Sequence, residues 1–232
     1  LATVTGISQG VWHYFEFQAT LHTSTGAYEL RIDEIQVAPG SGVNTADSGS
    51  NQADVFEWGS AGSTQVRADD VYVLDGTGGF NDDFRGDCVV ESITPTAEGA
   101  TIQWTPSTGT NNAALVDDSD TGPTGGEDTD HNLGIVATDR DLYDYSDLSV
   151  ITGTIHGMML TDYASNTLAG SRTFKNIFRN SGGTVGDFGP THTVDQTTID
   201  GFPSVQEKNP ISATNWTNSD INNGQFGVEM GV

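Results

Sequence analysis

Thirty-two carboxylates face eight basic side chains and five histidines in this 232-residue chain. Two carboxylates on either side of a glycosidic bond can hydrolyse it, one as acid and one as base or nucleophile. One sheet-borne arrangement places such a pair on a single strand face, spaced Glu-x-Asp-x-Glu or one residue wider. Glu29, Asp33 and Glu34 lack that spacing, and neighbours in a strand, such as Asp33 and Glu34, point to opposite faces. They read as a solvated strand face. Ser/His/Asp catalysis needs a histidine held between a nucleophile and an acid. His13, His22, His131, His156 and His192 lie in no nucleophile motif, and none adjoins a glycine-flanked serine elbow. His156, inside the apolar run Ile155–Leu160, is expected to pack in a core or an interface. Cys88 has no positive cluster beyond Arg85, so a buried, inert thiol is expected. No enzyme is expected and no catalytic residue is assigned.

Carboxylates also bind hard cations through alternating oxygens. Asp118-Ser119-Asp120-Thr121-Gly122 begins like a calcium loop, but Pro123 and Thr129 stand where an EF-hand requires glycine and glutamate. The candidate Ca²⁺ ligands are therefore Asp118, Asp120, Asp128 and Asp130, with Glu127, in an irregular loop, and Asp82 with Asp83 further upstream. A solvated acidic loop is the competing reading. No other cofactor is expected. A sugar site needs an exposed aromatic beside amides and carboxylates. Of Trp12, Trp58, Trp104 and Trp216, the last lies among Asn and Thr residues and is the carbohydrate candidate. Arg85-Gly86-Asp87 matches an adhesion tripeptide, but glycine here suits a backbone bend, and the match reads as coincidence.

A net charge of -24 repels nucleic-acid phosphates and anionic membranes, so neither is an expected partner. A single cysteine excludes a disulfide framework and any multi-cysteine metal site. No stretch approaches the roughly 18 apolar residues of a membrane span. The chain opens on Leu1 without a recognisable leader and is expected to be a processed or partial chain.

With 34% hydrophobic residues, 17% charged residues and 29 glycines, the composition suits short strands and tight turns. Trp12–Leu21 is aromatic and strand-like, and a turn at Ser24-Thr25-Gly26 leads into Tyr28–Val37, where Tyr28, Leu30 and Ile32 alternate with polar residues. The pair reads as a β-hairpin. Pro39–Gln52 reads as loop, Val55–Trp58 and Gln65–Leu74 as strands, and the turn-rich Asp75–Phe84 as a boundary. Beyond it, strands are expected at Cys88–Thr94 and Ala100–Thr105, around a turn at Pro95–Gly99. Asp117–Asp130 reads as a long loop, and Asp141–Leu148 as one helical turn from its apolar residues at 142, 145 and 148. Ser149–Tyr163, Ser171–Asn180, Thr191–Ile199 and Phe226–Met230 complete the expected strands.

Gly10-Val11-Trp12-His13-Tyr14, the hairpin closing on Leu30-Arg31-Ile32-Asp33, and Ala68-Asp69-Asp70-Val71-Tyr72-Val73 together resemble the second half of a concanavalin A-like or laminin-G-like sandwich. Glu34 stands where that superfamily has glycine. Such a sandwich needs about twice these residues, so the rest of its sheet is expected upstream of Leu1 or from another chain. From Asn81 onward the motif order is N-D-D-F-R-G-D-C, Ile102-Gln103-Trp104-Thr105-Pro106, Asp141-Leu142-Tyr143-Asp144-Tyr145, Trp216-Thr217 and Phe226-Gly227-Val228. This order is similar to a set of tailed-bacteriophage virion proteins.

These readings give an all-β chain: a partial concanavalin A-like β-sandwich over 1–80, a seam over 81–87, and a second β-sandwich, jelly-roll-like, over 88–232. The resemblance implies a bacteriophage virion structural protein on the outer head or tail surface, as a decoration, tail or fibre component. Its partners would be other copies of itself and other virion proteins. The alternative is a carbohydrate-binding adhesin that contacts host surface glycans.

Overall fold

The structure is a computed structural model that describes residues 7–8, 10–46, 49–53, 67–74, 76, 79–117, 130–149, 152–195 and 197–231. The chain is all-β, built from antiparallel sheets, and divides into two compact units, Leu1–Val90 and Glu91–Val232.

The first unit is a three-stranded meander of β1 (Phe15–Thr20), β2 (Gly26–Ile32) and β3 (Ile35–Val43), in that spatial order. His22 closes the β1–β2 turn, its Nδ1 accepting the backbone N–H groups of Ser24 and Thr25 at 3.1 and 3.0 Å. Between β2 and β3 the chain reverses at Asp33 and Glu34, whose φ angles of 50° and 66° are left-handed. The expected single strand Tyr28–Val37 is therefore two strands. A reversal with both central residues at positive φ matches the twist of its flanking strands, although Asn-Gly is the usual sequence for it. Asp33 is held there because its carboxylate accepts Tyr14 N–H at 3.0 Å and lies 2.8 Å from His13 Nδ1. Pro39–Val43, expected as loop, belongs to β3. Residues 67–74 form no strand; Val71 and Val73 are 61% and 75% exposed, so nothing on them favours sheet burial. The expected strand Val55–Trp58 lies outside the described residues.

The second unit stacks two layers. Its main sheet has the order β10-β9-β12-β7-β4, from β4 (Pro95–Ile102), β7 (Arg140–Tyr145), β9 (Arg172–Arg179), β10 (Val185–Val194) and β12 (Gln225–Met230). A two-stranded ribbon of β8 (Met158–Ala164) and β11 (Asp200–Gln206) covers it, and β5 (Thr105–Pro106) pairs with β6 (Asn132–Leu133). The C-terminal strand β12 sits mid-sheet and is buried almost throughout. Between the layers Phe178, Phe188, Trp216, Ile221 and Phe226 form one core, against which Met158 and Leu160 of the ribbon pack. Phe174, Val194 and Val228 form another, joined by Ala164 and Phe202. The helix α1 (Asn218–Asn222) starts in a capping box between Thr217 and Asp220.

Two local expectations fail here for identifiable reasons. Asp141–Leu148 is no helical turn: its first residues form β7, in register with β12 through Tyr143↔Phe226 and Asp141↔Val228. Tertiary pairing overrides a three-residue apolar period. Pro95–Gly99 is no turn but the start of β4, the edge strand. Proline is tolerated at that edge, and Gly99 passes so close to β7 that a Cβ would lie 2.6 Å from Leu142 O. Residues 88–94 form no strand.

Candidate functional site

The three-stranded meander has two chemically distinct faces. Its register places Phe15, Ile32 and Ile35 in one row, Phe17, Leu30 and Ala38 in the next, and Ala19, Tyr28 and Gly40 in the third. That face carries no charged residue. Gly40 is required where it stands, because a Cβ there would lie 2.3 Å from the Tyr28 ring. On this face Phe15, Phe17 and Ile35 are 36%, 60% and 68% exposed, while Ile32 and Ala38 are buried. Single exposed apolar residues are ordinary, but a contiguous apolar patch marks a contact surface.

The opposite face reads Glu16, Arg31, Gln36; Gln18, Glu29, Pro39; Thr20, Ala27, Ser41. Glu16 is buried, and its Oε1 accepts Tyr72 O–H at 2.7 Å and the backbone N–H groups of Arg85 and Gly86 at 2.7 and 3.1 Å. Tyr14 and Tyr72 are joined hydroxyl to hydroxyl. Burial is the main cause that pushes the Tyr72 phenol up to about 12. Arg31 donates to Glu29 at 2.6 Å and stacks over Phe84, 3.9 Å from the ring centre. Beside this covered end, Gln18, Thr20, Tyr28, Glu29, Pro39 and Ser41 line a shallow groove of about 400 Å³.

The Arg-Gly-Asp stretch is thus pinned by its own backbone to a buried carboxylate of β1. Gly86 has φ 78°, and the bend it makes lies within the unit Leu1–Val90. Cys88 is half-buried, and its thiol is pushed up by burial and by the Glu16 and Asp87 charges.

The structure separates the metal candidates. Asp82 and Asp83 are exposed; one carboxylate oxygen of Asp83 accepts Phe84 N–H at 2.7 Å. Asp130 is half-buried, whereas Asp118, Asp120 and Asp128 lie outside the described residues. Among the described residues no three His, Cys, Asp or Glu side chains converge on a cation position. The sugar candidate Trp216 is corrected: it is 3% exposed, edge-on to Phe178 with ring centres 5.0 Å apart, and its indole N–H donates to Gln206 O at 3.0 Å. A ring enclosed in this way has no free face for a sugar. Among the described tryptophans Trp12 is the exposed one, at 69%.

Two polar groups in the second unit escape sequence reasoning. Asp141 is fully buried; its carboxylate accepts Gln103 N–H, Trp104 N–H, Asn112 Nδ2–H and Tyr143 O–H at 2.7–2.9 Å, fixing the exit of β4. His192 Nε2 lies 2.8 Å from Ser204 Oγ, but Ser204 is 1% exposed and pressed against Gly189. No helix among the described residues is long and apolar enough to cross a membrane. No protein-family model, curated protein or solved structure matches this chain.

Proposed function

We propose that the chain is a structural component of a bacteriophage particle, on the outer surface of the head or tail, that works by multi-copy assembly through its sheet faces. The carrying observation is the uncharged face of the meander, on which Phe15, Phe17 and Ile35 are exposed. Three strands about five residues deep present on the order of 250 Å². A stable pairwise interface buries roughly 800 Å² per partner. A face this small is too weak for a free dimer but suits a lattice where each copy makes several contacts at once. The motif order from residue 81 to 228 supports the virion setting, and the acidic exterior disfavours contact with packaged DNA. In this reading the first unit is part of a concanavalin A-like sandwich whose second layer comes from a neighbouring copy, and the second unit is a jelly-roll-like variant.

The test is mass spectrometry with immunogold labelling of purified phage particles that encode the chain. Many copies on the outer surface are expected; absence from the particle overturns the reading. The adhesin reading has one observation of its own, the exposed indole of Trp12. Glycan-array binding that is lost in Trp12→Ala, without particle incorporation, would favour it instead.

A further inference from the structure

Along β8 the residues Met158, Leu160, Asp162 and Ala164 form the inner row of the ribbon, while Met159, Thr161 and Tyr163 point outward. A carboxylate in that row faces a core. Its neighbour across the layers is Asn176 of β9, which is fully buried, donates its Nδ2–H to Leu160 O at 3.5 Å and lies close enough to lower the Asp162 carboxyl. Both groups are left one partner short: Asp162 Oδ2 and Asn176 Oδ1 are buried acceptors with no donor. Two unmet acceptors on a neighbouring acid and amide lack one shared hydrogen, which a proton on the acid supplies.

We propose that Asp162 and Asn176 form a proton-operated latch between the β8–β11 ribbon and the five-stranded sheet. Protonated Asp162 donates to Asn176 Oδ1 and seats the ribbon. Loss of that proton to water leaves an under-partnered charge on a carboxylate whose Oδ2 is buried, and the ribbon loosens. Desolvation, the dominant cause, pushes the Asp162 carboxyl up to about 7, against a smaller lowering by the Asn176 hydrogen bond. The titratable groups on the facing elements leave the proton on Asp162. Tyr145 of β7 has its phenol pushed up by burial and by the Asp162 charge. His192 of β10 is engaged with Ser204. Lys175 points to the opposite face, onto Asp187 and Glu229 at 2.7 and 3.1 Å. Arg172 begins β9 two strand repeats away, its Nε buried without a partner, and Asp200 begins β11 opposite Ala164.

The sign follows from the raised value. Between the ordinary carboxylate range near 4 and about 7, the folded chain holds a proton that the unfolded chain lacks. Stability therefore falls as pH rises through this window and levels off above it. The test uses the full chain. Carbon-13 NMR follows the Asp162 carboxyl, identified by its disappearance in Asp162→Asn, while hydrogen exchange follows the amides of β8 and β11. A titration midpoint near 7 is expected. Ribbon amides should exchange about tenfold faster at pH 8 than at pH 5.5, after correction for intrinsic rates. In Asp162→Asn, whose amide donates at every pH, that acceleration should vanish. A midpoint near 4, or ribbon protection that does not depend on pH, overturns the latch; should the variant fold poorly, a wild-type spectrum in which no carboxyl titrates near 7 overturns it as well.

Discussion

At the scale of single residues, the first unit is organised by Glu16, which sequence reasoning did not single out, and by Asp33, which it left on a solvated strand face. Glu16 satisfies three donors from one oxygen, so Glu16→Ala strands two backbone N–H groups and the Tyr72 hydroxyl. Leaving buried donors unpaired costs about 1–3 kcal/mol each, and some regain water. We expect a loss on the order of 3 kcal/mol in urea unfolding, with the Tyr72–Cys88 segment released to proteolysis first. His13 and Asp33 give a pH prediction. The hydrogen bond to Asp33 raises the histidine, and the same bond, with Tyr14 N–H, lowers Asp33. The pair thus stabilises fully between the ordinary Asp and His values, roughly pH 4 to 6.5. It weakens as pH rises through the raised histidine value or falls through the lowered aspartate value. Melting temperatures of His13→Ala and wild type should differ most near pH 5.5 and converge as pH rises through the raised histidine value.

At the scale of elements, alternation was the most informative signal. Tyr28, Leu30 and Ile32 were visible as one apolar face of β2, and Arg172–Arg179 and Gln225–Met230 fall where apolar runs predict strands. The Asp33–Glu34 turn was invisible because neither residue favours positive φ; His13 and Tyr14, twenty residues upstream in sequence order, hold it. Glu34 occupies the place where the resembling superfamily has glycine. A left-handed conformation costs a non-glycine residue about 1–2 kcal/mol. Glu34→Gly is therefore expected to stabilise the chain by about 1 kcal/mol, read as a higher urea midpoint with an unchanged slope. β11 and the start of β10 were missed because Gly189, Pro190, Gly201 and Pro203 punctuate them as turns do. In the structure the β10 ladder shifts register between Asp187 and Thr191, with Gly189 at φ 103°. Of the candidate sites, Trp216 was misread because polar sequence neighbours do not prevent burial by Phe178 and Phe188 across the core. Asp162 was legible in principle, as an acid inside the alternating row Met158, Leu160, Ala164.

At the scale of the whole molecule, strong like charge and an open apolar face pull in opposite directions. A net charge of -24 keeps separate copies apart at low ionic strength, and salt screens that repulsion over a Debye length of about 10 Å at 0.1 M. Self-association should therefore rise between low and high salt in sedimentation velocity, and Phe17→Ser with Ile35→Ser should suppress the rise without lowering the melting temperature. The central claim, that the Phe15–Phe17–Ile35 face is covered by a neighbouring copy in the particle, is tested most directly by hydroxyl-radical footprinting of the free chain and of assembled particles. Phe15 and Phe17 should oxidise readily in the free chain and become several-fold protected on assembly. Equal oxidation of both phenylalanines in the two states would contradict the account.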